Sequence, residues 1–273
     1  MSLLADLAEW NELAFAALLL FGLGLAHELG LRVGYRAADR GKTVPDGVGV
    51  IVGGLLGLLA FVLALTLTFA NGRFAERRAG SLGEANAIGT AWTRAHAIGH
   101  PRGAEIARLL EEYARVRLAF TEAGRDRAKL DEITATTNRL QSQMAGHAAV
   151  IVREQPNPVS ASLLSALNET FDAATAERFA FALHLPTQIF WLLISISALS
   201  ACVLGYQFGL KRSPLRVLVG LLLLTWTIVI VAILDLASPR IGAFRTGTDV
   251  YRWTLQGFEG GFQVPPLPAG QRP

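Results

Sequence analysis

Cysteine is all but missing from this chain of 273 residues, where Cys202 stands alone. No disulfide framework and no thiolate metal site can then be built within one chain. Cys202 lies inside an apolar run, where a free thiol packs as a small hydrophobe. Charge is also scarce. Charged residues make up 17% of the chain and hydrophobic ones 52%, with a mean hydropathy of +0.38, whereas soluble domains carry about 25% charged residues. The net charge of +3 does not point to nucleic acid. The basic residues stand beside apolar runs or alternate with acids, as membrane flanks and solvated helix faces do.

The signatures of catalysis are missing too. There is no Gly-rich phosphate loop, no nucleophile elbow and no clustered carboxylate pair in the sequence. His27 and Glu28 begin a zinc-protease pattern, but the second histidine it requires is replaced by Leu31, which leaves the coordination incomplete. Ser195, Ser197 and Ser200 have no base beside them, and such hydroxyls bond helix backbones or neighbouring helices. No catalytic residue, metal site or cofactor is therefore expected. A cleavable signal peptide is not expected either, because Asp6, Glu9 and Glu12 stand where a basic segment belongs.

What is present in quantity is long apolar runs. Gly47 to Ala70, Thr187 to Leu210 and Val217 to Leu234 contain no charged residue, and crossing a bilayer takes about 20 apolar residues. A fourth run, Leu13 to Leu31, is interrupted by His27 and Glu28 near its far end. Unbroken runs lack the alternation of barrel strands, so each is expected to cross as a helix. Short polar links, Arg32 to Asp46 with Pro45 and Lys211 to Arg216 with Pro214, join the runs as two hairpins.

Between the hairpins lie about 115 residues with 14 Lys or Arg and 13 Asp or Glu in helical patterns. The clearest helix runs from Ala104 to Thr121, with Ile106, Leu109, Leu110, Tyr113, Val116 and Phe120 on one face and the pairs Glu111 with Arg115 and Arg108 with Glu112 on the other. Further helices are expected from Asp126 to Ala145 and from Ser160 to Leu183, punctuated by Gly124 and by Pro156 to Pro158. The expected fold is an all-α membrane protein of four transmembrane helices in two hairpins. Its parts are a first hairpin at 1–71, a helical soluble domain at 72–186, a second hairpin at 187–237 and a C-terminal tail at 238–273, loosely ordered from Gly257 on. Lysine and arginine beside the crossings do not set the sidedness: seven lie at the hairpin loops and seven on the opposite face.

Several residues are candidates for function. Glu28 stands one turn before Arg32, which fits an ion pair, while an ionisable group within a crossing also fits an ion or proton pathway. In the second crossing Gly47, Gly49, Gly53, Gly54 and Gly57 leave room for close helix contact. Phe61, Leu65 and Thr68 then follow on one face, ahead of Arg73, Arg77 and Arg78. Two readings of that stripe stand: a hydrophobic constriction with a basic mouth in a symmetric oligomer, suited to anions, or core packing with snorkelling arginines. Glu84 shares a face with Arg77, and Asn86, Thr90 and Arg94 follow at successive helical steps. Such polar stripes could hold an ion or tie the domain's helices together.

The stretch GLLGLLAFVLALTLTFANGRFAERR, Gly54 to Arg78, followed by GEANAIGTAWTRA, Gly83 to Ala95, resembles the bestrophin-like family of bacterial membrane proteins. The segments Glu111 to Leu118, Ala166 to Ala173 and Asp235 to Gly242 carry further resemblance, and the Glu84 to Thr90 run is its most specific part. The resemblance implies a multi-pass protein of the bacterial inner membrane with its helical domain in the cytoplasm. By more distant similarity to bestrophin channels it implies a homo-oligomer, a pentamer, conducting inorganic anions such as chloride along a pore lined by the second helix. Shared architecture does not by itself transfer function. The acidic calcium-binding clusters of animal bestrophins have no counterpart here. Alternatives from other classes are a non-conducting membrane sensor or scaffold whose helical domain binds a partner, and a proton-coupled carrier using Glu28.

Overall fold

The computed structural model describes residues 11–41, 47–183, 186–240 and 244–263. Asp6, Glu9, Lys42, Pro45, Asp46, Gly242 and the tail beyond Gln263 lie outside the described residues. The regular elements among the described residues are α-helices: α1 (Glu12–Asp39), α2 (Gly47–Ala97), α3 (Pro101–Glu122), α4 (Arg127–Glu154), α5 (Pro158–Ala182), α6 (Thr187–Leu210), α7 (Arg216–Ala237) and α8 (Asp249–Glu259). The chain is an all-α membrane protein with crossing helices α1, α2, α6 and α7, all long and apolar enough to span. Two compact units divide it, Met1–Phe74 with His184–Phe244 and Ala75–Leu183 with Arg245–Pro273. Helix α2 supplies residues to both.

In the first unit the closest packing is between α1 and α6, which run parallel. Phe15 lies beside Phe190, and the His27 Nδ1 stands 3.3 Å from the Ala201 carbonyl oxygen. Glycine sets the approach. A Cβ on Gly30 would stand 1.9 Å from the Cys202 carbonyl oxygen, and one on Gly205 2.1 Å from that of His27. Gly34 and Gly209 are equally blocked by backbone, so the helices touch main chain to main chain. The glycines of α2 do something else. Added Cβ atoms at Gly53, Gly54 and Gly57 would meet nothing within 4 Å, so the close contact expected of them is not made among the described residues of this chain. Helix α1 also continues to Asp39, which shortens the expected link of Arg32 to Asp46 by two turns. The exposed Arg212 donates to Asp39, joining the ends of α1 and α6.

The second unit is built from α3, α4, α5, α8 and the far part of α2. Its starts are capped as local chemistry requires. The His100 ring accepts from the Arg102 N–H ahead of α3, Asp126 accepts from the Lys129 N–H ahead of α4, and Asn157 and Ser160 form a capping box with Pro158 at the first position of α5. The predicted stripe of α3 is buried except for the half-buried Val116. It packs with Ile88, Ala91 and Trp92 of α2, Leu140, Met144 and Ile151 of α4, and Leu163 and Leu167 of α5. On its wet side Arg108 pairs with Glu105 at 2.6 Å and Glu112 at 3.7 Å. Glu111 instead accepts from the Trp92 indole at 3.2 Å.

Helix α4 runs through Gly146 to Glu154, nine residues past its expected end. Beyond the last crossing, in the region expected only as a C-terminal tail, α8 docks on the unit and carries the helix past Gly257, where loose chain was expected. Tyr251 is fully buried, Phe258 stacks on Trp92 and Phe262 on His96.

Candidate functional site

Two of the apolar stripes carry a charge where a hydrophobe belongs. On α3, Arg117 falls four residues after Tyr113 and three before Phe120. On α5, Glu177 falls three residues after Ala174 and four before Phe181, and all six side chains are buried. A charge at a core position needs a partner, and the fold brings several together. Arg117 Nε donates to Glu84 Oε1 at 2.5 Å and Nη2 donates to Glu84 Oε2 at 3.1 Å, a fork against one carboxylate. The same Nη2 donates to Glu177 Oε2 at 2.5 Å. The guanidinium also lies over the Phe120 ring, 4.4 Å from its centre.

Two hydroxyls complete the cluster. The Tyr251 hydroxyl of α8 lies 2.6 Å from Glu84 Oε2 and 3.0 Å from Glu177 Oε2. The Ser81 hydroxyl bonds Glu177 Oε1 and stands 3.2 Å from the Arg77 carbonyl oxygen. Glu84 and Glu177 are 0% exposed and Arg117 is 3% exposed. Four helices, α2, α3, α5 and α8, therefore meet on one arginine and two carboxylates. The sequence shows no such carboxylate pair, because its members are 93 positions apart and only folding joins them.

The electrostatics follow from burial. Desolvation, then the neighbouring Glu84 charge, pushes Glu177 up to about 8, against the opposing pull of Arg117 and Ser81. Burial works against the Arg117 charge, but Glu84 and Glu177 outweigh it and hold the guanidinium above its ordinary value. Burial and then Glu84 raise both Tyr251 and Tyr113. Tyr113 accepts at its hydroxyl from the Gln141 amide of α4 at 3.0 Å.

The other predicted residues lie elsewhere. Of the polar motif, Glu84 enters the buried cluster; Arg77, expected at the pore mouth, is also buried, two turns earlier on the same side of α2. Asn86 and Thr90 are exposed, and Arg94 is half-buried, its Nη1 donating to the Ser162 carbonyl at 2.9 Å. In the first unit, α2 buries Val52, Leu59, Leu63, Thr66 and Ala70 along one face. Phe61 and Leu65 are 60% and 55% exposed on the other, and exposed Thr68 there donates to its own helix at the Ala64 carbonyl. Arg73 sits with its guanidinium 5.1 Å from the centre of the Phe69 ring.

At the end of α1, Glu28 lies 3.6 Å from both Arg32 and Arg216. It thus ties α1 to α7 as well as forming the predicted pair with Arg32. His27 is buried beside it. Among the described residues no group of three or more His, Cys, Asp or Glu could hold a metal ion.

A sequence model of the Bestrophin-like domain matches residues 16–251. No curated protein matches the sequence. Among solved structures, a bacterial bestrophin homolog from Klebsiella pneumoniae is 15% identical, with 89% of this chain and 99% of that chain covered at a TM-score of 0.65. A point variant of that homolog, 14% identical, gives a TM-score of 0.68 over 89% of this chain and 97% of that one. At such low identity the likeness establishes the fold.

Proposed function

Because this chain belongs to the bestrophin-like family, we propose that it is one protomer of a homo-oligomeric ion channel, pentameric by family resemblance, conducting inorganic anions along an axis lined by α2. The observation that carries the reading is the bareness of that helix. Over its most apolar stretch α2 is 17% buried, against 28% or more for each other crossing helix. Its uncovered face combines Phe61 and Leu65 with Thr68, a stripe that in a ring of copies makes a narrow apolar neck. Arg73 would place positive charge at its mouth, which favours anions, whereas Arg77, expected beside it, is buried on the Glu84 face of α2. The helical domain is assigned to the cytoplasm and the crossings to the bacterial inner membrane.

Domain bounds follow from the same reading: hairpins at 1–71 and 187–237, with residues 72–186 in water. Glu28, shared between Arg32 and Arg216, is assigned the structural role of pinning helix ends. A second reading, a non-conducting membrane scaffold that binds a partner through its helical domain, draws on Phe179 and Trp253, left 65% and 64% exposed on the second unit.

Cryo-EM of the purified protein in lipid nanodiscs tests the proposal. The expected map is a ring of five copies with α2 facing an open axis. A monomer, a dimer or a ring with another helix inward would overturn it.

A further inference from the structure

The cluster of Glu84, Glu177, Arg117, Tyr251 and Ser81 is short of hydrogens as well as of positive charge. Tyr251 has one hydroxyl hydrogen for two carboxylate oxygens, and Ser81 has one for a carboxylate and the Arg77 carbonyl. With both carboxylates ionised, oxygen lone pairs would face each other across these contacts in a site closed to water. Two negative charges would also share a single guanidinium, at the cost that uncompensated buried charge carries. A proton on Glu177 eases both problems. It supplies a missing hydrogen and leaves one carboxylate against one arginine.

The groups bearing on the pair come from every helix packed there. They are Ser81, Glu84 and the Arg77 carbonyl on α2, Arg117 and Tyr113 on α3, and Tyr251 on α8, with Gln141 of α4 holding Tyr113. Helix α8 is the shortest of the helices packed there. It is 11 residues long, and Tyr251 is its single fully buried side chain.

We propose that the Glu84–Glu177 pair is a pH-sensitive latch, in which a proton held between the two carboxylates keeps Tyr251, and with it α8, fastened to the helical domain. The inference stands whether or not the protein conducts. Its sign follows from linkage. In the fastened state Glu177 keeps its proton up to about pH 8, whereas once α8 lifts and water enters, it titrates as an ordinary glutamate near 4.3. Release of α8 therefore becomes easier as pH rises between those values, by up to about tenfold per pH unit, and levels off above them.

Hydrogen exchange on the full-length protein in detergent, followed by mass spectrometry and corrected for the chemical exchange rate at each pH, reads this directly. The segment covering 249–259 should lose protection between pH 5.5 and 7.5, approaching tenfold per unit, and flatten above about 8, while α3 keeps its own. Glu177→Gln should make α8 protection independent of pH, and so should Glu84→Gln, which removes the second charge. The infrared carbonyl stretch of a protonated carboxylic acid should be visible in the wild-type protein at pH 6 and vanish as pH passes about 8. Protection of α8 that is flat across this range, or an absent carboxylic acid band in the wild-type protein, overturns the latch even if neither variant folds. A slope that persists in both variants overturns it equally.

Discussion

At the scale of single residues, burial separates the ion pairs that matter from those that do not. Arg108 is exposed beside Glu105 and Glu112, and such pairs are nearly neutral to stability. Arg117 is closed off from water with two carboxylates on its guanidinium. Arg117→Ala should strip both of their partner and destabilise the helical domain by about 3–5 kcal/mol, read as a large drop in the denaturation midpoint in detergent, whereas Arg108→Ala should leave that midpoint unchanged. Equal effects would contradict the assignment.

These residues were only half legible in the sequence. Arg117 and Glu177 both interrupt an apolar stripe at a core position, a signal the periodicity contains. Nothing local says that they meet each other, or that Glu84 and Tyr251 join them, because those contacts span 33 to 167 positions.

At the scale of elements, glycine has two different meanings in two helices. In α1 and α6, Gly30, Gly34, Gly205 and Gly209 are backbone contact points where a methyl group has no room. In α2, Gly53, Gly54 and Gly57 face open space within the described residues of the protomer. Gly205→Ala should therefore cost about 1–3 kcal/mol or more through forced separation of α1 and α6, measurable as a lower melting temperature in detergent. Gly53→Ala should leave the protomer's fold intact, and an equal loss would contradict the packing. The sequence pointed to the α2 glycines because they are crowded together. The glycines that do pack are spaced four apart on two separate runs, and their pairing is a tertiary fact.

Helix lengths show the same division. Four crossings were readable because hydrocarbon imposes length and apolarity on each run separately. The extent of α4 was not, since Gly146 reads locally as a stop yet sits between Met144 and Ala148, both buried against neighbouring helices. Helix α8 is short but amphipathic: Val250, Tyr251, Leu255 and Phe258 pack on the unit, a periodic signal that the sequence does contain within the region expected only as a tail.

At the scale of the whole molecule, the all-α membrane fold follows from solvent chemistry and the family from the match over residues 16–251. What a single chain leaves uncovered carries the functional proposal. The bare face of α2 has to be covered by lipid or by copies of itself around an axis.

Single-channel recording in planar bilayers, with cysteine substitutions in a Cys202→Ser background and a water-soluble thiol reagent, distinguishes the two. The account predicts that current is carried, and that the reagent blocks it at Phe61→Cys, Leu65→Cys and Thr68→Cys but not at the buried positions Leu63→Cys and Thr66→Cys. Absence of current in the unmodified protein, or block that ignores the face of the helix, would contradict it.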